Sequence, residues 1–482
     1  MKKFLITVFV CLVQAGINLY AIEPPEPCYP IPNERQLAWH KNEIAAFIHF
    51  GVNTFNNVEW GNGKENLSIF NPVSLNAEQW VNVVKSFGAK RLILTCKHHD
   101  GFCLWPSAFT DHDVGSSPWK DGKGDVVKEA SDACRMGGIE FGVYLSPWDM
   151  HEPAYGNNSP GDYNKHYLNQ LTELLTNYGN ITEVWWDGAK GWGDTQDYDW
   201  ETWISKVREL QQDAVIFSDA GPDVRWCGNE SATAGEPNWC MVDTSKIIRG
   251  NIYDAGYLSC GSPSDPDWCA SECDTSIRPG WFYHTAEDAS VKSLDVLIDT
   301  YYKSVGRGGV LLMSFSPDKR GLIHENDAAI AVKFGEFLKK TFSTDFARGA
   351  AATASNTRGG GRNDILYNGY RAAMAVDGND STYWATDEKT EKAALELDLG
   401  TEKTFDIIMI QEYIKLGQRV KSFVVEAWVN NKWKKLEQEK TIGYKRLIHL
   451  NNPVTARKVR LRVLSARACP AIHTVGIFKE IR

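Results

Sequence analysis

The sequence lacks two features that define common classes of protein. Its 482 residues carry a net charge of −9, so it has no basic excess of the kind expected in a nucleic-acid-binding protein. Beyond its amino terminus it has no long hydrophobic run, and no transmembrane segment is predicted. Tryptophan is plentiful instead, with 18 residues. Indole faces suit contacts with carbohydrate, although large hydrophobic cores also use them.

The amino terminus has the pattern of a secretory signal peptide. Lys2 and Lys3 precede an apolar stretch over residues 4–13, and Ala21 offers a small residue for cleavage. Cys11 follows Val10, where a lipoprotein signal favours a small residue, so no lipid anchor is expected. We therefore expect residues 1–21 to be removed and the protein to be exported, to the periplasm or the extracellular space.

Ten cysteines remain after Cys11, and export would permit disulfides between them. The sequence does not fix their pairing. Cys96 lies in an apolar strand pattern, which favours a buried free thiol. Cys260, Cys269 and Cys273 are close together, but their spacing does not match a standard zinc site.

The chain is long enough for two domains, and residues 22–343 alternate between strand and helix patterns. Repeated units of this kind predict either a closed (β/α)8 barrel of the TIM type or an open doubly wound sheet. An open nucleotide-binding sheet needs a glycine-rich turn after its first strand, and His49-Phe50-Gly51 is not such a turn. A barrel is therefore favoured, with irregular later units because residues 220–290 show little periodicity. The predicted strands are 45–49, 91–96, 139–146, 181–187, 215–219 and 309–315, and the predicted helices are 77–87, 125–136, 163–178, 203–210 and 293–305.

In residues 344–482 the pattern changes to short runs in which apolar and polar residues alternate, and these runs predict an antiparallel β-sandwich. Residues 375–386 resemble the signature of discoidin-like domains, the coagulation-factor type C and carbohydrate-binding-module sandwich. Asp377, Asn379 and Ser381 offer oxygen ligands for a structural calcium ion, and the alternative is a plain turn held by side-chain hydrogen bonds. The predicted strands are 393–399, 404–411, 422–429, 446–450 and 458–464.

The most informative segment is residues 181–188, an apolar run that ends in Asp187 and Gly188. A carboxylate at the carboxyl end of a barrel strand is typical of a catalytic group. The alternative is a helix N-cap in front of a tryptophan core. Because strand side chains alternate, Trp185 is predicted to face the barrel mouth with Asp187, and Trp186 to pack outward against the helices.

Glycoside hydrolysis requires a second carboxyl group beside the first. The segment after the next predicted strand supplies several candidates, and spacing alone does not choose among them. Arg225 lies in the same segment. An arginine that pairs with one of these acids would lower the pKa of that acid and make it unsuitable as a proton donor. The candidates are Asp219, Asp223, Glu230 and Glu236.

Histidines and a tryptophan follow the first two strands. His49 ends the first strand, His98 and His99 follow the second, and Glu59-Trp60 lies in the loop between these strands. Neutral imidazoles suit hydrogen bonding to sugar hydroxyls. Histidine pairs are also common metal ligands, but no acidic or cysteine partner stands at a convincing spacing, so no metal is predicted. A purely supporting role for each histidine is the other alternative.

These motifs together resemble the alpha-L-fucosidases of glycoside hydrolase family 29. The resemblance rests on His49-Phe50-Gly51, Glu59-Trp60, residues 97–102 (KHHDGF), Tyr144, residues 185–188 (WWDG), residues 278–281 (RPGW) and Pro317-Asp318. Residues 221–230 and the sandwich resemble the subgroup that prefers branched alpha-1,3 and alpha-1,4 linkages. One departure is Ser314, where the family often has asparagine.

The resemblance implies roles for individual residues. Asp187 matches the nucleophile and Glu230 the acid/base, with Glu236 as the rival for the second role. The implied substrate-binding residues are His49, Glu59, Trp60, His98, His99, Tyr144, Trp185, Arg225 and Trp281. No cofactor is implied.

The expected function is therefore that of an exo-acting, retaining alpha-L-fucosidase on fucosylated oligosaccharides or glycoconjugates. Its two carboxyl groups would lie about 5–5.5 Å apart. The alternatives are a catalytically inactive fucose-binding protein and a retaining glycosidase for another sugar, such as a galactoside. The sequence leaves the oligomeric state open.

Overall fold

A computed structural model describes residues 22–249, 255–360 and 369–481. The predicted signal peptide lies outside these ranges. Within them, no helix is both long enough and apolar enough to cross a membrane.

The first part of the chain forms a closed barrel of eight parallel strands, as the sequence predicts. The barrel order is β1-β10-β9-β6-β5-β4-β3-β2. Nearly every residue of these strands is buried, because helices cover the outer face and side chains fill the interior. The strands are β1 (Ile44–Ile48), β2 (Arg91–Lys97), β3 (Glu140–Leu145), β4 (Glu183–Trp185), β5 (Val215–Ser218), β6 (Val224–Trp226), β9 (Ala270–Ser276) and β10 (Val310–Phe315).

The helices surround the barrel, and their sequences carry clear start and stop signals. In the third helix, Asn76 accepts a hydrogen bond from the Gln79 backbone N–H, and Gly88 ends the helix with φ of +108°. The buried side of that helix presents Trp80, Val84 and Phe87. The helices are α1 (Glu34–Lys41), α2 (Val52–Asn56), α3 (Ala77–Phe87), α4 (Val126–Gly137), α5 (Tyr163–Asn177), α6 (Trp200–Leu210), α7 (Ala255–Cys260), α8 (Leu294–Lys303) and α9 (Glu325–Thr341).

The barrel is irregular in its later units. Residues 219–223 join β5 to β6 with no helix between them. The long segment from β6 to β9 contains a small sheet of β7 (Met241–Val242) and β8 (Asp267–Trp268). This segment carries the loop with Glu230 and Glu236.

The carboxyl-terminal part is one seven-stranded antiparallel sheet with its own hydrophobic core. Two of its strands are longer than predicted: 393–399 and 404–411 are one strand, as are 446–450 and 458–464. A register shift between Asp398 and Lys403 absorbs the turn-like residues without ending the strand. The strands are β11 (Ala351–Ala354), β12 (Trp384–Ala385), β13 (Ala393–Glu412), β14 (Val420–Val429), β15 (Lys432–Glu439), β16 (Arg446–Ala466) and β17 (Ala471–Phe478).

The turn that offered calcium ligands uses its own side chains as acceptors. Asp377 accepts from the Asn379 backbone N–H at 2.8 Å and from the Thr382 hydroxyl, and Asn379 accepts from the Ser381 N–H at 3.0 Å. This is the alternative that the sequence left open, and it gives the calcium site no support.

All ten cysteines in the described residues are free thiols. Cys96 is fully buried, as its strand pattern predicts. Within the described ranges, no group of three or more His, Cys, Asp or Glu side chains is arranged to hold a metal ion.

Candidate active site

Asp187 is the second residue after β4, at the carboxyl-terminal mouth of the barrel. The Tyr144 hydroxyl donates to its Oδ2 at 2.9 Å, and the Ala189 backbone N–H donates to its Oδ1 at 2.7 Å. Burial raises the pKa of Asp187, while these two hydrogen bonds act in the opposite direction. The carboxylate is thus held in one orientation and remains partly accessible from the mouth.

The two tryptophans before Asp187 point to opposite sides of the strand. Trp185 lies inside the barrel, where its ring stacks on Phe217 at 4.1 Å and on Tyr144 at 5.3 Å between ring centroids. Trp186 is fully buried on the outside, against Trp200 and Trp203 of α6. This is the alternation that the strand pattern predicts.

A side chain at position 188 would collide with Asp219. A Cβ atom there would lie 2.4 Å from a carboxylate oxygen of Asp219. Any side chain would therefore displace either Asp219 or the backbone that carries Asp187.

His99 has a defined tautomer. Its Nδ1 lies 2.7 Å from the Ser146 hydroxyl, which itself donates to the Trp148 carbonyl at 2.6 Å. The serine must therefore accept from His99, so Nδ1 carries the proton. Burial lowers the pKa of His99 to about 3, so the ring is neutral at ordinary pH. Its Nε2, 3.8 Å from Asp187 Oδ2, is then an acceptor suited to a sugar hydroxyl.

His49 and His98 stand beside it. His49 Nδ1 lies 2.8 Å from the hydroxyl of Ser314, so the residue that departs from the family pattern contacts a predicted site residue. The His98 ring stacks on Tyr144, with 5.7 Å between ring centroids. Burial lowers the pKa of both histidines and keeps both rings neutral.

Glu59 anchors a neighbouring loop. Its carboxylate accepts from the backbone N–H groups of Trp281 at 2.8 Å and Phe282 at 3.2 Å, and His284 contacts it at 2.6 Å. Trp281 is thereby held against His49, with ring centroids 5.1 Å apart. Glu59 therefore positions one wall of the pocket.

Trp60 lies beside His99. Its indole is mostly exposed and makes edge contacts with His99 and with Trp148, which the sequence did not single out.

The rival carboxylates have different surroundings. The pKa of Glu230 is raised, and partial burial is the largest cause. A hydrogen bond with the Trp281 side chain lowers this pKa, whereas the charges of Asp187 and Glu59 raise it further. Glu236 forms ion pairs with Arg446 and with Arg307, the latter at 2.9 Å. Burial alone would raise its pKa, but hydrogen bonds from Glu439 and Arg446 and the arginine charges lower it overall. Glu230 therefore has the environment of a proton donor, and Glu236 does not.

Asp223, another candidate carboxylate, also has a structural role. It pairs with Arg35 at 3.0 Å and with Arg208, both outside the barrel mouth.

Arg225 is the clear error among the predicted binding residues. Its neighbours Val224 and Trp226 in β6 face the barrel interior, so Arg225 points outward. It is fully buried, and it donates to the backbone carbonyls of Leu258 and Trp239 and to the Asn238 side chain. Arg225 therefore supports the loop between β6 and β9 and does not reach the pocket.

A third carboxyl group, Asp274 in β9, was not predicted. The Trp226 indole donates to it at 2.7 Å. Burial, followed by the charge of Glu230, raises the pKa of Asp274 to about 8, so it is protonated at neutral pH. Its strand is almost wholly polar in sequence, and no apolar periodicity points to it.

A parallel barrel with an anchored carboxylate, a second carboxyl of raised pKa, neutral histidines and tryptophan walls defines a glycoside hydrolase. Residues 32–342 match the alpha-L-fucosidase family, and residues 351–474 match the F5/8 type C domain. The chain therefore belongs to the alpha-L-fucosidase family of glycoside hydrolases, and it is an alpha-L-fucosidase with a carboxyl-terminal discoidin-like domain.

Relatives resemble the chain over almost its whole length. Alpha-L-fucosidase 1 of Arabidopsis thaliana is 43% identical over 473 residues, which cover 96% of this chain and 90% of that protein. The crystal structure of SpGH29 superposes with a TM-score of 0.89 at 40% identity, covering 95% of this chain and 100% of that one. A Ruminococcus gnavus GH29 fucosidase in complex with fucose gives a TM-score of 0.88 at 35% identity, covering 95% and 97%.

Proposed function

We propose that this alpha-L-fucosidase is exo-acting and retaining, and that it removes terminal alpha-1,3- or alpha-1,4-linked fucose from branched oligosaccharides or glycoconjugates. The proposed mechanism is supported by the contrast between the surroundings of Glu230 and those of Glu236. Burial, and then the charges of Asp187 and Glu59, raise the pKa of Glu230, whereas two arginines pair with Glu236, whose pKa is lowered.

In the proposed first step, the Asp187 carboxylate attacks the anomeric carbon and the bond to the leaving oxygen breaks. Glu230 gives its proton to that oxygen as it departs. A covalent fucosyl-enzyme remains, and Glu230 is now a carboxylate. In the second step it takes a proton from water, the water oxygen attacks the anomeric carbon, and Asp187 is released as a carboxylate with overall retention.

The pocket supports a small, partly apolar sugar. His99 Nε2 is free to accept from a hydroxyl, since its other nitrogen is committed to Ser146. The tryptophan walls suit the C–H face and methyl group of fucose.

The linkage preference rests on residues 221–230, which resemble the subgroup with that preference. A product profile on branched alpha-1,3/1,4 substrates and on a linear alpha-1,2 substrate tests it. Faster release from the linear substrate would contradict the proposal.

Azide rescue tests the carboxylate roles. We expect E230A to lose about 10²–10⁴-fold in turnover of an oligosaccharide, because general acid catalysis contributes that range. With an activated aryl fucoside, azide should restore E230A turnover and yield fucosyl azide of retained configuration. E236A is the matched control and should need no rescue. Rescue of E236A in place of E230A would reverse the assignment, and an active D187A would refute the nucleophile.

We also propose that the protein is exported to the periplasm or beyond the cell. The support is the sequence pattern of residues 1–21. Amino-terminal sequencing of the protein recovered from its producing cells should begin near residue 22, and an intact Met1 in that sample would contradict export through this signal.

A further inference from the structure

Trp192 is fully exposed on the loop that follows Asp187. A single exposed apolar side chain is ordinary on a protein surface. This one stands at the corner of a tight turn, in which the Asp194 backbone N–H donates to the Gly191 carbonyl at 3.1 Å and Gly193 has φ of +77°. Such a turn fixes the backbone from which the indole projects into solvent.

The loop that carries the turn is anchored on both sides. The Asp194 carboxylate accepts from the Tyr155 hydroxyl and from the Gln196 backbone N–H, the latter at 2.9 Å. The Gln196 side chain accepts from the Gly156 N–H at 2.8 Å, and the Lys190 ammonium lies 4.5 Å from the centre of the Tyr198 ring. These contacts hold the loop although its tip lies in solvent.

The loop continues the aromatic rim of the pocket. A Cβ at Gly191 would lie 3.3 Å from the Trp148 ring, so the turn backbone rests against that indole. Trp148 in turn contacts His99 and Trp60, with ring centroids 4.8 and 5.6 Å apart. Trp60, Trp148 and Trp192 therefore follow one another from the fucose pocket outward.

We propose that Trp192 binds the sugar residue to which the fucose is attached, by stacking its indole on the apolar face of that ring. Trp192 is a specificity-determining residue for the leaving group, and it takes no part in the bond-breaking steps. This inference rests on the proposed action on fucosylated oligosaccharides.

The test compares two substrates with the same fucose but different leaving groups. One is a branched fucosylated oligosaccharide, and the other is alpha-L-fucosyl fluoride, whose leaving group offers no ring to stack. In W192A, the ratio of kcat/KM for the oligosaccharide to that for the fluoride should fall about ten-fold, which corresponds to about 1.4 kcal/mol. W192F keeps an aromatic face and should restore most of the ratio.

Trp428 supplies the matched control, because it is a partly exposed tryptophan on the distant antiparallel sheet. W428A should leave the ratio unchanged. A W192A ratio within two-fold of wild type would overturn the inference, as would an equal fall in W428A. Failure of the proposed function is a separate result, since the wild-type enzyme would then release no fucose from the oligosaccharide.

Discussion

The hydrogen bond between Tyr144 and Asp187 should set the acidic limb of the pH profile. The Tyr144 hydroxyl donates to Asp187 Oδ2 at 2.9 Å and stabilises its ionised form. Burial already raises the pKa of Asp187, and the tyrosine is one of two donors that oppose the rise. In Y144F the buried carboxyl loses that donor and keeps only the Ala189 N–H.

The size of the effect follows from the strength of the bond. A hydrogen bond to a charged group contributes about 1.5–3 kcal/mol. One pKa unit corresponds to about 1.36 kcal/mol, so the pKa of Asp187 should rise by roughly 1–2 units. A nucleophile must be ionised, and the acidic limb of kcat/KM should move to higher pH by the same amount.

The assay is the pH profile of kcat/KM on an aryl fucoside for wild type, Y144F and Y167F. Tyr167 is an equally buried tyrosine whose hydroxyl donates to the Leu145 carbonyl at 2.7 Å, away from Asp187. Y167F controls for the general cost of losing a buried hydroxyl and should leave the limb in place. An unmoved limb in Y144F, or an equal shift in Y167F, would refute the reasoning.

Three further substitutions test the supporting groups. E59Q weakens the anchor of the Trp281 loop, so the KM for an aryl fucoside should rise about ten-fold, the equivalent of ~1.4 kcal/mol, with a smaller change in kcat. Because the folded-state pKa of Asp274 is raised to about 8, stability is lost as pH rises from near 4 toward 8. In D274N the fall in free energy of unfolding between pH 5 and 8, measured with urea, should be smaller by about 3–4 kcal/mol. E236Q removes ion pairs that include the discoidin-like domain and should lower stability by about 1 kcal/mol with kcat unchanged.

The sequence predicts β1 to β5 and β10 of the barrel, and physical chemistry explains why. Strands buried on both faces are usually apolar, and the glycines and caps around them mark where the helices stop. Asp187, His49, His98 and His99 then follow from position alone, because each is the first or second residue after such a strand. The parallel topology gathers these strand ends at one mouth.

Two barrel strands, β6 and β9, escape prediction, because β6 is only three residues long and β9 is polar although it is buried. β9 contains Ser271, Glu272 and Asp274, yet all seven of its residues are buried. Glu272 accepts from the Trp185 indole at 2.9 Å, and Asp274 accepts from Trp226. These partners come from other strands of the closed barrel, so a local window of sequence cannot reveal them. The prediction that Arg225 binds substrate is wrong for a related reason. The direction of its side chain depends on which residues of the short strand β6 face inward, and the sequence alone does not reveal this.

Glu230 and Glu236 show most clearly what decides a catalytic assignment. They are the same residue type in the same loop, and no local pattern distinguishes them. Arg446, 210 positions along the chain from Glu236, makes the difference, since it pairs with Glu236 from the discoidin-like domain. An arginine pair lowers the pKa of a carboxyl, whereas proton delivery to a leaving oxygen needs one that is raised. The second domain thus holds Glu236 in ion pairs, whereas burial and then the charges of Asp187 and Glu59 raise the pKa of Glu230, which is the property that the proposed acid/base role needs.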